Sequence, residues 1–255
     1  MFHYLDMGKG EPLVLIHGFG CKKESWKNQY GLSESYRLII PDLLGHGESN
    51  DVENISIPNF AKNIMRLLDQ LGIEAAHFCG ISLGGIIVQE IYKLFPKRVK
   101  SMILSNTTSY LPKTGAKWIL KKKIDQFLST PRENIVSAAA SNCLYDQNPE
   151  LIQEVKDALL LKDETYIKTA KATIGVNYLF MLPFIKVPTL IIGGFYDKLL
   201  PVILARQTHL MTLGKAKLVI LDECGHAPVI ECKERYNELL LEFLNKQSPI
   251  YEQVI

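Results

Sequence analysis

The chain has 255 residues and is 47% hydrophobic but only 22% charged, which is too apolar a composition for a disordered protein. Lys and Arg number 29 against 27 Asp and Glu, a net charge of +2, so neither nucleic acid nor an anionic membrane surface is implied as the main partner. The five cysteines (Cys21, Cys79, Cys143, Cys224 and Cys232) are odd in number and widely spaced without a C-x-x-C pair, which argues against a disulfide framework and against a zinc site.

Residues 1–6 contain no basic stretch followed by an apolar one, and no apolar run reaches the ~18 residues of a membrane span. The expectation is a soluble, cytoplasmic protein. Short, wholly apolar runs then punctuate the chain at 13–16, 38–40, 76–79, 102–104, 189–192 and 218–221. Runs this short and this apolar suit strands buried on both faces of a parallel sheet. Between them lie helical patterns. In 57–71, Phe60, Ile64, Leu67, Leu68 and Leu71 recur at steps of three and four, with Pro58 at an early position and Gly72 at the stop. Further helices are predicted over 83–95, 200–211 and 232–244. Strand–helix alternation of this kind predicts an α/β fold with a doubly wound, mostly parallel sheet.

One stretch breaks the alternation. From 111 to 182 the periodicity is helical and no strand is evident. The stretch is too long for a plain loop and too apolar for disorder. It predicts a helical insertion, placed before the last two strands and covering one edge of the sheet. The run Lys121, Lys122, Lys123 inside it reads as a solvated helix face.

Gly80-Ile81-Ser82-Leu83-Gly84 is a G-x-S-x-G motif with a strand-like run before it and a helix-like run after it. This context makes a sharp strand-to-helix turn that strains the serine backbone and exposes its hydroxyl above the sheet. Serine needs a base. Of the six histidines, His209 and His226 follow Ser82 with room for an acid between. His209 falls within a predicted helix, whereas His226 lies just past the run 218–221, where α/β sheets place reactive groups. The acid is expected at Asp197, just past the run 189–192, with Asp222 as the alternative; Asp42 reads as a structural loop residue. The Leu83 N–H and an N–H at Phe19, in the loop after 13–16, are the expected oxyanion donors. Cys79 and Cys224 read as packing residues.

The segments LVLIHGFG (13–20), PDLLGHGES (41–49), GISLGG (80–85), GGFYDKLLP (193–201) and GHAPVIE (225–231) together resemble the α/β-hydrolase superfamily, and its small capped members in particular. The resemblance implies Ser82, Asp197 and His226 as a catalytic triad and the Phe19 and Leu83 amides as the oxyanion hole. It divides the chain into a core of 1–110 with 185–247 and a cap, or lid, of 111–184. Cys232 stands after Glu231, where relatives often carry proline. Ser82 itself argues against the epoxide- and halide-processing relatives, which use an aspartate nucleophile.

The expected activity is hydrolysis of a small or medium carboxylic ester through an acyl-enzyme. A C–C bond, lactone or thioester hydrolase with the same triad, and a low-turnover small-molecule receptor, stay open as alternatives. Trp118, Phe127, Tyr178 and Met181, with Leu120, Phe180 and Phe184, are candidate substrate contacts that could equally pack the cap onto the core. No metal or organic cofactor is implied, and the expected partner is a small ester-like molecule.

Overall fold

The computed structural model describes residues 2–113 and 116–247. The strands are β1 (Tyr4–Met7), β2 (Glu11–Ile16), β3 (Tyr36–Pro41), β4 (Ala76–Ile81), β5 (Val99–Ser105), β6 (Thr189–Gly194) and β7 (Lys217–Leu221). They form one 7-stranded sheet in the order β1-β3-β2-β4-β5-β6-β7. Every pairing is parallel except β1 with β3. The strands expected from sequence are all present, and β1 is an addition. Its four residues are half-buried or exposed, because an antiparallel edge strand need not be apolar on both faces.

The α-helices are α1 (Ile57–Gln70), α2 (Leu83–Leu94), α3 (Ala116–Ser129), α4 (Arg132–Cys143), α5 (Pro149–Ala158), α6 (Asp163–Ala172), α7 (Ile203–Met211), α8 (Pro228–Glu231) and α9 (Lys233–Leu244). A 3-10 segment over Lys23–Glu34 connects β2 to β3. The helices α3 to α6 all lie between β5 and β6, where sequence predicts helix without strand.

Alternation along each strand builds two apolar layers. On β2, Val14 and Ile16 face one layer while Leu13 and Leu15 face the other; on β3, Ile39 opposes Leu38 and Ile40 in the same way. The first layer is closed by Phe60, Ile64 and Leu68 of α1 and Ile87 and Ile91 of α2. The second is closed by Trp26 and by Tyr236 and Leu240 of α9. Both faces are therefore covered. This is the α/β-hydrolase architecture, and it explains why the strands read as continuous apolar runs.

The strand order also locates the site. β2 leads outward to β3 on one side, whereas its neighbour β4 leads to β5 on the other. Connections that diverge in this way leave a crevice above the carboxyl ends of the two strands. Phe19 follows β2 there, and Ser82 follows β4. Among the described residues no helix is long and apolar enough to cross a membrane.

Candidate active site

Ser82 sits between β4 and α2 with φ 54° and ψ −116°, a conformation that costs a non-glycine residue of order 1–3 kcal/mol. Its surroundings enforce this. A Cβ on Gly80 would collide with the backbone of Gly84, and a Cβ on Gly84 would collide with the carbonyl oxygen of Ile16 in β2. The two glycines of the motif are thus explained by close backbone approach. The Ser82 N–H donates to the Ser105 carbonyl (2.9 Å), and its own carbonyl accepts from Thr107 Oγ1 (2.6 Å) and Gly85 N–H (3.0 Å).

Asp197 and His226 follow β6 and β7 and meet. His226 Nδ1 and Asp197 Oδ2 are 2.7 Å apart, and both residues are buried. The other carboxylate oxygen, Oδ1, accepts the Leu199 and Leu200 amides, each at 2.8 Å. Burial works to raise the Asp197 carboxyl. The His226 hydrogen bond and charge, the Leu200 amide and Asn106 outweigh it and hold the carboxyl below its ordinary value. Asp222, the alternative acid, is exposed.

Asn106 is the residue that sequence reasoning missed. It follows β5 with φ 42°, and its Nδ2 donates to Asp197 Oδ2 (3.0 Å) and to the Gly225 carbonyl (2.9 Å). Because Ser105, its chain neighbour, holds the Ser82 amide, a short bonded path runs from the serine to the acid and the histidine loop. Its position just past an apolar run is the signal that could have found it. Among the described residues no hydrogen bond joins Ser82 to His226 itself. Such bonds are often long without substrate. With Nδ1 engaged by Asp197, Nε2 is the ring nitrogen left for the serine.

The loop after β2 is fixed from below. His17 is fully buried, and its Nε2 accepts the Leu43 N–H (3.1 Å), so Nδ1 carries the proton and donates to the Gly18 carbonyl (2.8 Å). Burial lowers its pKa and keeps it neutral. Asp42 accepts the Lys23 amide (2.8 Å), the Lys23 ammonium (3.0 Å) and the Glu48 amide (3.0 Å), which ties the loops after β2 and β3 together and suits its reading as a structural residue. A Cβ on Gly18 would lie 3.6 Å from Ser82 Cβ, so this loop borders the serine directly. Neither the Phe19 nor the Leu83 amide has an acceptor among the described residues. Two free N–H groups beside a half-buried serine, one of them at a helix N-terminus, suit a developing anion.

Of the aromatic candidates, only Phe127 joins this region. It is buried and stacks on Tyr166 of α6 (3.6 Å between centroids), and Tyr166 packs on Phe19 at 4.8 Å. Tyr178 is buried elsewhere, against Glu90 and Lys93 in the C-terminal half of α2. Met181 is half-buried on the same apolar layer. Trp118, Phe180 and Phe184 are exposed, Trp118 at 71%. The side chains of Leu120 and Lys123 lie outside the described residues. Lys121 is exposed and pairs with Asp125 (2.7 Å), as a solvated face would. Cys79 and Cys224 are fully buried, and burial pushes the Cys79 thiol up to about 12. Among the described residues no cluster of His, Cys, Asp and Glu could hold a metal ion.

Comparison with known proteins agrees with this fold. The sequence pattern of the alpha/beta hydrolase fold matches residues 11–231, and the chain belongs to that family. It is 30% identical to a 2-hydroxy-6-oxononadienedioate/2-hydroxy-6-oxononatrienedioate hydrolase of Paraburkholderia phymatum, over 96% of this chain and 91% of that protein. Its fold is similar to that of a thermophilic esterase from Thermogutta terrifontis (TM-score 0.88, 23% identity, covering 97% and 94% of the two chains). It is also similar to that of an enol-lactonase from Burkholderia xenovorans (TM-score 0.86, 22% identity, covering 96% and 95%).

Proposed function

We propose that the protein is a serine hydrolase that cleaves a small or medium carboxylic ester through an acyl-enzyme. Ser82 is the nucleophile, His226 the base and Asp197 the acid that orients it. Ser82 Oγ attacks the ester carbonyl carbon as His226 Nε2 takes the hydroxyl proton. The Phe19 and Leu83 amides receive the oxyanion. His226 then gives its proton to the departing alkoxide, and water repeats the cycle to release the acid and restore Ser82. Asp197 stays ionised throughout and holds the imidazole with Nε2 toward the serine.

The observation that carries this reading is the 2.7 Å contact between His226 and an ionised, buried Asp197, bonded through Asn106 and Ser105 to a serine held at φ 54°. In the same reading, 1–110 with 185–247 form the core and 111–184 a cap over the site, with Phe127 reaching the oxyanion loop through Tyr166, which packs on Phe19. We place the protein in the cytoplasm, because its five cysteines are unpaired.

A second reading has one specific support. The Paraburkholderia relative is named for a 2-hydroxy-6-oxo dienedioate substrate, so the same residues would here cleave a C–C bond next to a ketone. Purified protein is to be assayed on p-nitrophenyl acetate and butyrate beside a panel of thioesters, lactones and vinylogous diketones. Hydrolysis of the esters that falls by roughly 10⁵ or more in Ser82→Ala supports the proposal. Turnover of the diketones alone moves the assignment to the second reading. Absence of turnover across the panel overturns both.

A further inference from the structure

Three backbone amides converge on one side chain beside the site. Glu231, the last residue of α8, accepts the Tyr145 N–H (2.6 Å) and the Asp146 N–H (2.7 Å) through Oε1, and the Gly225 N–H (2.5 Å) through Oε2. Tyr145 and Asp146 belong to the turn between α4 and α5, whereas Gly225 immediately precedes His226. The two segments also touch directly. The Cys143 carbonyl accepts the His226 N–H (2.6 Å) and the Ala227 N–H (3.2 Å). A Cβ at position 225 would lie 2.6 Å from that carbonyl oxygen and 2.8 Å from the Tyr145 nitrogen, so only glycine lets the turn come this close. Under the contact, Leu144 is fully buried in the apolar layer that holds Ala227, Val229 and Ile230.

The distribution of these bonds separates two roles for the carboxylate. Hydrogen bonds to an ionised acceptor are short and about twice as strong as neutral ones. Tyr145 and Asp146 are exposed, so water can replace the acceptor they would lose, and the whole molecule need lose little stability. Gly225 is buried and carries the histidine loop. Loss of the clamp therefore falls on the direction of the imidazole.

We propose that Glu231 is a positioning residue for His226: it fastens the histidine loop to the α4–α5 turn, so that the segment between β5 and β6 takes part in aiming the base at Ser82. The inference rests on the roles given to Ser82 and His226 above and adds a route by which a segment remote in sequence controls them. Glutamine at 231 keeps the volume but offers one acceptor oxygen, and its NH2 would face an N–H on the other side. Alanine removes both acceptors.

The test compares wild type, Glu231→Gln and Glu231→Ala by ester kinetics. Rates are normalised to the serine that a fluorophosphonate labels, and thermal melts are run in parallel. Small misplacements of a catalytic group cost up to about 100-fold, so kcat per labelled serine should fall roughly 10- to 100-fold in both variants while KM stays within about twofold. Hydrogen exchange should show the Tyr145, Asp146 and Gly225 amides protected in wild type and released together in Glu231→Ala. A kcat per labelled serine within about twofold of wild type, with only the melting temperature lowered, would reduce Glu231 to a structural residue and overturn the proposal. So would wild-type amides at 145, 146 and 225 that exchange as fast as open loop. Failure of wild type to label or turn over would instead strike the hydrolase assignment, and the exchange pattern would still decide whether the clamp exists.

Discussion

The sheet and the segment between β5 and β6 are held in different ways. Strand residues such as Leu13, Ile39 and Ile103 are fully buried and fixed by packing on both faces. The helical segment adds to the apolar contacts of residues such as Leu144 and Leu182 a set of polar ties to the loops at the strand ends. Leu160 N–H donates to the Gly20 carbonyl (2.7 Å), Thr165 Oγ1 to the Gly45 carbonyl (2.9 Å) and Lys162 Nζ to the Gly47 carbonyl (2.8 Å), while Glu231 holds the α4–α5 turn. Its first helix, α3, still presents Trp118 and Leu128 to solvent. Burial is spread over many residues and is redundant, whereas these ties are few and each ends on a loop of the site. Damage to the sheet should therefore appear as lost stability, and damage at the strand ends as lost rate.

The sharpest break in that comparison comes from the acid. Asp197→Asn removes the charge that orients His226 and leaves the geometry nearly intact, so kcat should drop by roughly 10⁴ while the protein stays folded. Steady-state kinetics beside a thermal melt checks both halves. Leu13→Ala acts the other way. It empties a fully buried position inside the sheet, and chemical denaturation should show a loss of about 3 kcal/mol. The smallest effect is expected on α3. Trp118→Ala removes an exposed ring and should change stability by less than about 0.5 kcal/mol. Tyr166→Ala, which removes the ring that stacks on Phe127 and packs on Phe19, should cost more in the same denaturation series and would sharpen the contrast within one segment.

What could be read from sequence follows the same division. The apolar runs are visible because both faces of the sheet are covered, and β1 escaped because an edge strand with Asp6 on its open side carries no such run. The 3-10 segment over Lys23–Glu34 escaped as well: Trp26 and Leu32 are buried, but the polar residues between them give no helical stripe. Ser82, Asp197 and His226 could be singled out because each sits past a strand, where the chain must turn. The helical segment was legible as helix but not in its contacts. Tyr178 and Trp118 were plausible substrate neighbours by composition, yet one is buried under α2 and the other faces solvent. Asn106 and Glu231 act through backbone partners far away in the chain, such as the Gly225 carbonyl and the Tyr145 amide. No local pattern encodes such pairings.

The central claim is that Ser82 is made nucleophilic by His226. The direct measurement is the rate of covalent labelling by a fluorophosphonate, located by peptide mass spectrometry in wild type and in His226→Ala. The account predicts one adduct, on Ser82, formed far more slowly without the imidazole. An adduct on another residue, or a Ser82 that labels equally fast in both proteins, would contradict it.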